Sequence, residues 1–231
     1  MTKIKGARVL VTGGQRGLGR AFAQEFLDAG AATVYVTARR PAAENDPRVV
    51  PLPLEVTDDT SVARLVESVP DLDIVINNAG GVVIGSLLEN DITEVAALFD
   101  INVLGPLRIA QAFAPTLARN GGGALVNVHS VVSWAAGAGA YGVSKAALWS
   151  MTNSLRLDLR QQGTQVVGVH LGYTDTDMVK AIDVPKNDPR EVARQVVTAL
   201  SEGKDEVLVD EASAFYKEAL SGPVDGLALQ G

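Results

Sequence analysis

The feature that most constrains this chain is a rhythm of short apolar runs separated by longer amphipathic stretches. Runs at 7–12, 33–37, 49–54, 72–77, 124–129, 166–170 and 206–209 are rich in Val, Ile and Leu, several without polar alternation. Strands lose that alternation where a parallel sheet is covered on both faces. Between them, residues 17–29, 58–69, 91–119, 140–162 and 189–202 carry helical patterns, and strands alternating with helices of this length are the mark of βαβ units. Asp58 and Asp188 stand where a short carboxylate accepts the orphan amide hydrogens of a first turn. Gly30 stands where a glycine stop belongs. Residues 41–53, rich in proline and charge, and 120–123 read as breaks. The expected fold is a single doubly wound, Rossmann-type α/β domain over 1–231, its seven-stranded, mainly parallel sheet flanked by helices on both faces. Its cofactor part covers about 1–130, and its catalytic and substrate-loop part about 130–231. The ligand crevice of such a sheet lies at the carboxyl ends of the strands.

Charge and composition remove whole classes of function. Twenty Lys and Arg face 27 Asp and Glu, a formal net charge of −7, so a nucleic-acid or anionic-membrane partner, which needs a basic face, is not expected. There is no cysteine, and only His129 and His170, which removes disulfides and thiolate chemistry and makes a metal site unexpected. No apolar run reaches the ~18 residues of a membrane span, and the start lacks an apolar signal segment. These features predict a soluble, cytoplasmic protein.

The first strand runs into Thr12-Gly13-Gly14-Gln15-Arg16-Gly17-Leu18-Gly19 and then a helix. Glycines in that position allow a tight turn and close backbone approach to a pyrophosphate, which a helix N-terminus attracts. The spacing differs from the usual G-x-G-x-x-G, and a purely structural turn is the competing reading. The second strand ends Val36-Thr37-Ala38-Arg39-Arg40, without the carboxylate that would accept from an NAD ribose 2′-hydroxyl. Arg39, with Arg16 opposite, would instead meet a 2′-phosphate, so NADP(H) is expected in preference to NAD(H). Further along, Tyr141 and Lys145 lie four apart on a helical stretch and share a face. An adjacent ammonium can lower a phenol's pKa by about 1–3 units, which would make Tyr141 a usable proton donor to a carbonyl oxygen. For the pair alone, an ordinary helix surface is the competing reading.

Thr12–Gly19, Asn77-Asn78-Ala79-Gly80, Asn102, Ser130 and Tyr141-x-x-x-Lys145 together give the chain its identity at family level. It resembles the short-chain dehydrogenase/reductases over residues 12–176. The resemblance implies that Gly13, Gly17 and Gly19 line the pyrophosphate with Leu18 behind it, and that Asn78, Ala79 and Gly80 border the adenosine ribose. It implies Ser130 as hydrogen-bond partner of the substrate oxygen and Tyr141 as general acid or base. Lys145 would bind the nicotinamide ribose and lower the phenol's pKa. Asn102 would hold a water that links Lys145 to solvent, and Gly172, Thr174 and Thr176 would meet the carboxamide. Arg40 and Val56 join Arg39 and Glu55 among the expected cofactor contacts.

Three departures from the family's pattern stand out. Ser130 and Tyr141 are 11 residues apart, about two fewer than expected of the family, and Ser133 is a rival for the serine role. Leu171 replaces a proline before Gly172. Glu55 stands where aspartate is common, as an adenine contact or as a solvated loop carboxylate.

The implied activity is NADP-dependent reduction of a ketone or aldehyde to an alcohol, or the reverse, by hydride transfer. The alternative, a catalytically silent nucleotide-sensing or scaffold protein, has no need of Asn102, Ser130, Tyr141 and Lys145 together. Val82, Val83, Val131, Val132, Trp134 and Met178 are candidate walls of an apolar pocket for an apolar or aromatic small-molecule substrate. Trp134, Tyr173 and Met178 stand beside the expected crevice. Trp149 and Met151 read as core or subunit-face residues, and His129 and His170 as core or loop residues. Leu148, Trp149, Leu155 and Leu159 on the long helices suggest a homo-oligomer, dimer or tetramer.

Overall fold

The computed structural model describes residues 1–229, so the last two positions of the expected 1–231 span lie outside the described residues. The apolar runs become strands β1 (Arg8–Val11), β2 (Thr33–Ala38), β3 (Val49–Pro53), β4 (Ile74–Asn77), β5 (Ala124–Val128), β6 (Gln165–His170) and β7 (Glu206–Leu208). They form one sheet in the order β3-β2-β1-β4-β5-β6-β7, and every pairing is parallel. The sheet is therefore wholly parallel, where the sequence predicted mainly parallel.

Both faces are covered, which explains the missing alternation. Val9, Val11, Ile74 and Ile76 point to one side, into a core with Phe22 and Phe26 of α1 (Gly17–Asp28) and Val192 and Val196 of α6 (Pro189–Glu202). Leu10, Val75 and Leu125 point to the other. There they meet Leu65 of α2 (Asp59–Ser68), Ile109 and Phe113 of α4 (Gly105–Arg119), and Leu155 of α5 (Gly139–Asp158). Strand order reverses between β1 and β4, so the crevice opens at their carboxyl ends, where Thr12 and Asn78 emerge.

The single helix expected over 91–119 is three elements. After α3 (Ile92–Phe99), capped by Asp91 through the amides of Thr93 and Glu94, Asp100–Leu104 forms a π-helical turn before α4 begins. A π turn inserts an extra residue into the helical ladder, and such turns cluster at functional sites. α5 starts at Gly139, in the left-handed region at φ 55°, and ends at Asp158 rather than 162. A further helix, α7 (Glu211–Ala219), escaped the sequence reading because it is short. Asp210 caps it.

Candidate active site

Two neighbouring strand ends build the crevice floor. The Thr12 hydroxyl donates to the Ile76 carbonyl (3.3 Å) and accepts from the backbone N–H groups of Asn78 and Ala79, both at 3.0 Å. Asn78 reciprocates: its amide donates to the carbonyls of Thr12 (2.9 Å) and Gly13 (3.3 Å). The staple leaves α1 so close to the loop that a Cβ on Gly19 would stand 2.2 Å from the Gly13 oxygen. Gly13 and Gly17 have positive φ, at 64° and 50°. The first-turn amides of α1 receive no side-chain acceptor among the described residues. A glycine-lined loop leading into a helix whose first turn has no side-chain acceptor fits a dinucleotide's pyrophosphate. Leu18 itself is buried in the core beneath.

The end of β2 lies against this loop: the amides of Gly13 and Gly14 point to the Thr37 hydroxyl and carbonyl. Arg16, Arg39 and Arg40 are exposed. Unlike Arg20 and Arg48, which face Glu44 and Asp46, they have no carboxylate partner among the described residues. No acid stands at the end of β2 itself, but one approaches from the following loop. The loop after β2 folds back, and Gln15 holds it, donating to the Ala42 carbonyl (2.7 Å) and the Glu44 carboxylate (2.9 Å). That brings Glu44 to the rim of the glycine loop from a distance in sequence at which no strand-end pattern would reveal it. On the far side of β2, Glu55 accepts from the Thr57 hydroxyl (3.0 Å), and the Val56 side chain is buried beside Gly105.

The π turn presents Asn102 inward. Its Oδ1 accepts from the Gly81 amide (2.8 Å), and its Nδ2 donates to the Gly81 carbonyl and the Ser144 hydroxyl, both at 3.0 Å. Ser144 in turn donates to the Tyr141 carbonyl (2.8 Å), tying the π turn to the start of α5. A Cβ on Gly80 would lie 3.2 Å from Asn102 Oδ1 and 3.9 Å from Lys145 Nζ, so these groups converge tightly on Gly80.

One face of α5 carries Tyr141, Lys145, Leu148 and Thr152. Lys145 is buried and donates to the Val128 carbonyl (2.8 Å), and burial lowers it from 10.5 to about 8. Thr152 donates to the Leu148 carbonyl (2.7 Å) and accepts from Asn127 Nδ2 (2.8 Å). His129 Nε2, 2.8 Å away, must then be a donor, which leaves Nδ1 to accept from His170 Nε2 at 3.0 Å. Burial lowers both imidazoles, His170 to about 3, so they form a neutral internal chain that docks α5 on β5 and β6.

Tyr141 and Ser130 are brought into hydrogen-bonding contact, which lowers the phenol, but burial is the larger effect and raises it to about 12. The expected lowering by Lys145 is absent. Its ammonium lies 5.8 Å from the ring centroid and is engaged by Val128. The rival Ser133 is turned away, its hydroxyl accepting from the Ser130 amide at 3.4 Å. Beyond β6, Thr176 packs on Gly17, and Thr174 bridges to Asn187. The segment carrying Gly172, Thr174 and Thr176 thus returns to the glycine loop.

Two expected pocket walls belong to the interior. Trp134 stacks on His170 with centroids 3.7 Å apart and meets Trp149 edge-on, and Val131 and Tyr216 complete that cluster. The rest of the wall set, Val82, Val83, Val132 and Met178, is exposed or partly exposed. Thr12 and Gln15, named in the sequence only as part of the glycine-loop motif, and Ser144 and Thr152, not named there at all, are positioning residues. Only the i+3 spacing of Ser144 from Tyr141 and the i+7 spacing of Thr152 from Lys145 could have marked the latter two.

No metal-binding group of three or more His, Asp or Glu side chains occurs among the described residues, and none of their helices is long and apolar enough to cross a membrane.

The short chain dehydrogenase family model matches residues 7–187. A sorbitol dehydrogenase of Cereibacter sphaeroides is 33% identical over 87% of this chain and 86% of its own length. A short chain dehydrogenase of Burkholderia cenocepacia J2315, solved in complex with NADP, superposes with a TM-score of 0.91 at 33% identity over 97% of both chains. A short chain dehydrogenase/reductase of Burkholderia phymatum, solved with NAD, shares the fold at a TM-score of 0.82 and 22% identity, over 96% of both chains. With the family model spanning most of the chain and these relatives covering nearly all of it, the protein belongs to the short-chain dehydrogenase/reductase family of oxidoreductases.

Proposed function

We propose that this chain is a single catalytic domain that uses NADP(H) in preference to NAD(H) to reduce a ketone or aldehyde, or to run the reverse reaction. The observation that carries this reading is the convergence of Tyr141, Ser130, Lys145 and Asn102 on the crevice beside Gly80. When bound, the cofactor supplies the hydride. Ser130 and Tyr141 hold the substrate oxygen, and Tyr141 delivers the proton. A phenol at about 12 still gives its proton readily to an alkoxide, which is much more basic. Lys145 takes the ribose hydroxyls, and Asn102 fixes the Gly81 backbone and the α5 start, with its Oδ1 facing the Lys145 side. Gly13, Gly17 and Gly19 take the pyrophosphate, with Asn78, Ala79, Gly80, Val56 and Glu55 toward the adenosine and Gly172, Thr174 and Thr176 toward the nicotinamide.

The NADP preference rests on exposed Arg16, Arg39 and Arg40, which have no carboxylate partner among the described residues, and accords with the NADP-bound Burkholderia cenocepacia relative. Exposed Val82, Ile84, Tyr173 and Met178 on the segments leaving the crevice support bulky apolar or aryl carbonyl substrates. The oligomer needs a different face from the one read in sequence. Leu148, Leu155 and Leu159 are buried within the chain, whereas Val143, Ser150, Ser154 and Leu157 form an exposed small and apolar stripe along α5. We assign that stripe to a dimer or tetramer contact, and sedimentation as a 24.1 kDa monomer at micromolar concentration would refute it. The cysteine-free composition accords with a cytoplasmic setting.

The decisive experiment is NADPH and NADH oxidation against a panel of ketones and aldehydes, with wild type and Tyr141→Phe. Tyr141→Phe should bind cofactor and lose ~10²-fold or more in kcat. A variant with half the wild-type kcat, or equal kcat/KM for the two cofactors, would overturn the respective assignment.

A further inference from the structure

The segment between β6 and α6, residues 171–188, is the longest excursion on the crevice side, and from Asp177 through Pro185 every residue but the half-buried Val179 is exposed. Its base is tied from outside. Asp210, two residues beyond β7, uses Oδ2 to accept from the Gly172 backbone N–H (2.7 Å) and from Asn187 Nδ2 (2.6 Å). Its other oxygen accepts from the Ser213 amide (2.8 Å) and hydroxyl (2.7 Å) and so caps α7. Asn187 closes the opposite limb, donating its amide to the Tyr173 carbonyl (2.8 Å) and accepting from the Asp175 amide (3.0 Å). One carboxylate oxygen therefore joins the two ends of a loop that carries Gly172, Thr174 and Thr176. It does so at the turn where Leu171 leaves the chain without a rigid proline. Even a Cβ on Gly172 would come within 3.1 Å of that oxygen.

We propose that Asp210 is a positioning residue for the cofactor, a latch that holds residues 172–176 at the nicotinamide end of the crevice. The inference rests on the cofactor reading given above, and nothing else in that reading requires Asp210. The four donated hydrogen bonds outweigh burial and keep the carboxyl below its ordinary range, so the latch is charged and closed at neutral pH. A latch at this place acts on half of the ligand only. The adenosine half lies against the glycine loop and β2, which Asp210 does not touch.

Asp210→Asn separates the latch from the helix cap. Asparagine caps a helix as well as aspartate, and its oxygen can keep the Ser213 bonds. Its NH₂ group then confronts the backbone N–H of Gly172, donor against donor, and Asn187 must turn its amide over to present its oxygen. The experiment measures binding of NADPH and of adenosine 2′,5′-bisphosphate, which lacks the nicotinamide half, to the full chain by calorimetry, with thermal unfolding alongside. We expect Asp210→Asn to weaken NADPH by about tenfold or more and to leave the bisphosphate within about twofold. Asn187→Ala, which spares the α7 cap, should give the same pattern more weakly, and it carries the comparison if Asp210→Asn is misfolded. Equal losses for both ligands, or none for either, would overturn the latch. A wild-type protein that binds neither ligand would overturn the cofactor reading itself, and the latch with it.

Discussion

Replacing Gly19 by alanine adds one methyl group at the tightest backbone contact of the glycine loop. The new Cβ would stand 2.2 Å from the Gly13 oxygen and 2.7 Å from Asn78 Nδ2, against ordinary contacts of 3.4 Å or more. The loop must therefore withdraw by about 1 Å, since the Gly13 oxygen is backbone and the Asn78 amide is held by the Thr12 and Gly13 carbonyls. Overpacking of this kind costs ~1–3 kcal/mol. The withdrawal also loosens the Asn78 bonds to the Thr12 and Gly13 carbonyls, each contributing ~1 kcal/mol. Alanine's better helix propensity offsets at most ~1 kcal/mol. A net loss of ~2–4 kcal/mol in a chain of this length lowers Tm by roughly 5–15 °C. Circular dichroism melting should show that drop, and dinucleotide binding should weaken with it, because the displaced amides line the anion cradle. Gly226→Ala is the control: nothing among the described residues lies within 4 Å of its Cβ, and its Tm should not move. A Gly19→Ala protein melting within about 1 °C of wild type would refute the argument that this contact is rigid.

The Thr12→Val variant keeps shape but strips the acceptor from the Asn78 and Ala79 amides, and should lose ~2–4 kcal/mol in urea unfolding. Burial holds Lys145 at about 8, below its ordinary 10.5, so between those values the unfolded chain binds the proton and the folded chain does not. The lysine's contribution to stability therefore rises as pH climbs through that window. The stability difference between wild type and Lys145→Met should move toward wild type, by up to ~3 kcal/mol, from about pH 7 to about pH 10. A flat difference would contradict the burial argument. Glu44→Gln removes a carboxylate from the glycine-loop rim while keeping a partner for Gln15. It should lower the KM for NADPH several-fold relative to NADH, and an unchanged ratio would place Glu44 outside the field of the 2′-phosphate.

Periodicity alone determined the strands and the layering, because residues buried on both sheet faces must all be apolar, as in Val9, Leu10 and Val11. The glycine loop and the Tyr141–Lys145 spacing were equally legible, since turn geometry and one helical turn are local properties. What escaped depends on contacts between residues far apart in the chain. The π turn at Asn102 is stabilised by Gly81 and Ser144, neither of which shares its local pattern. Trp134 and Leu155 look like surface or pocket residues until His170 and the β5 side of the sheet cover them. The phenol's high pKa is the clearest case. Sequence supplies the neighbouring lysine, but only the folded chain sends that ammonium to the Val128 carbonyl and buries the tyrosine hydroxyl. Desolvation and charge compete over distances of a few ångströms, and those distances are set by tertiary packing.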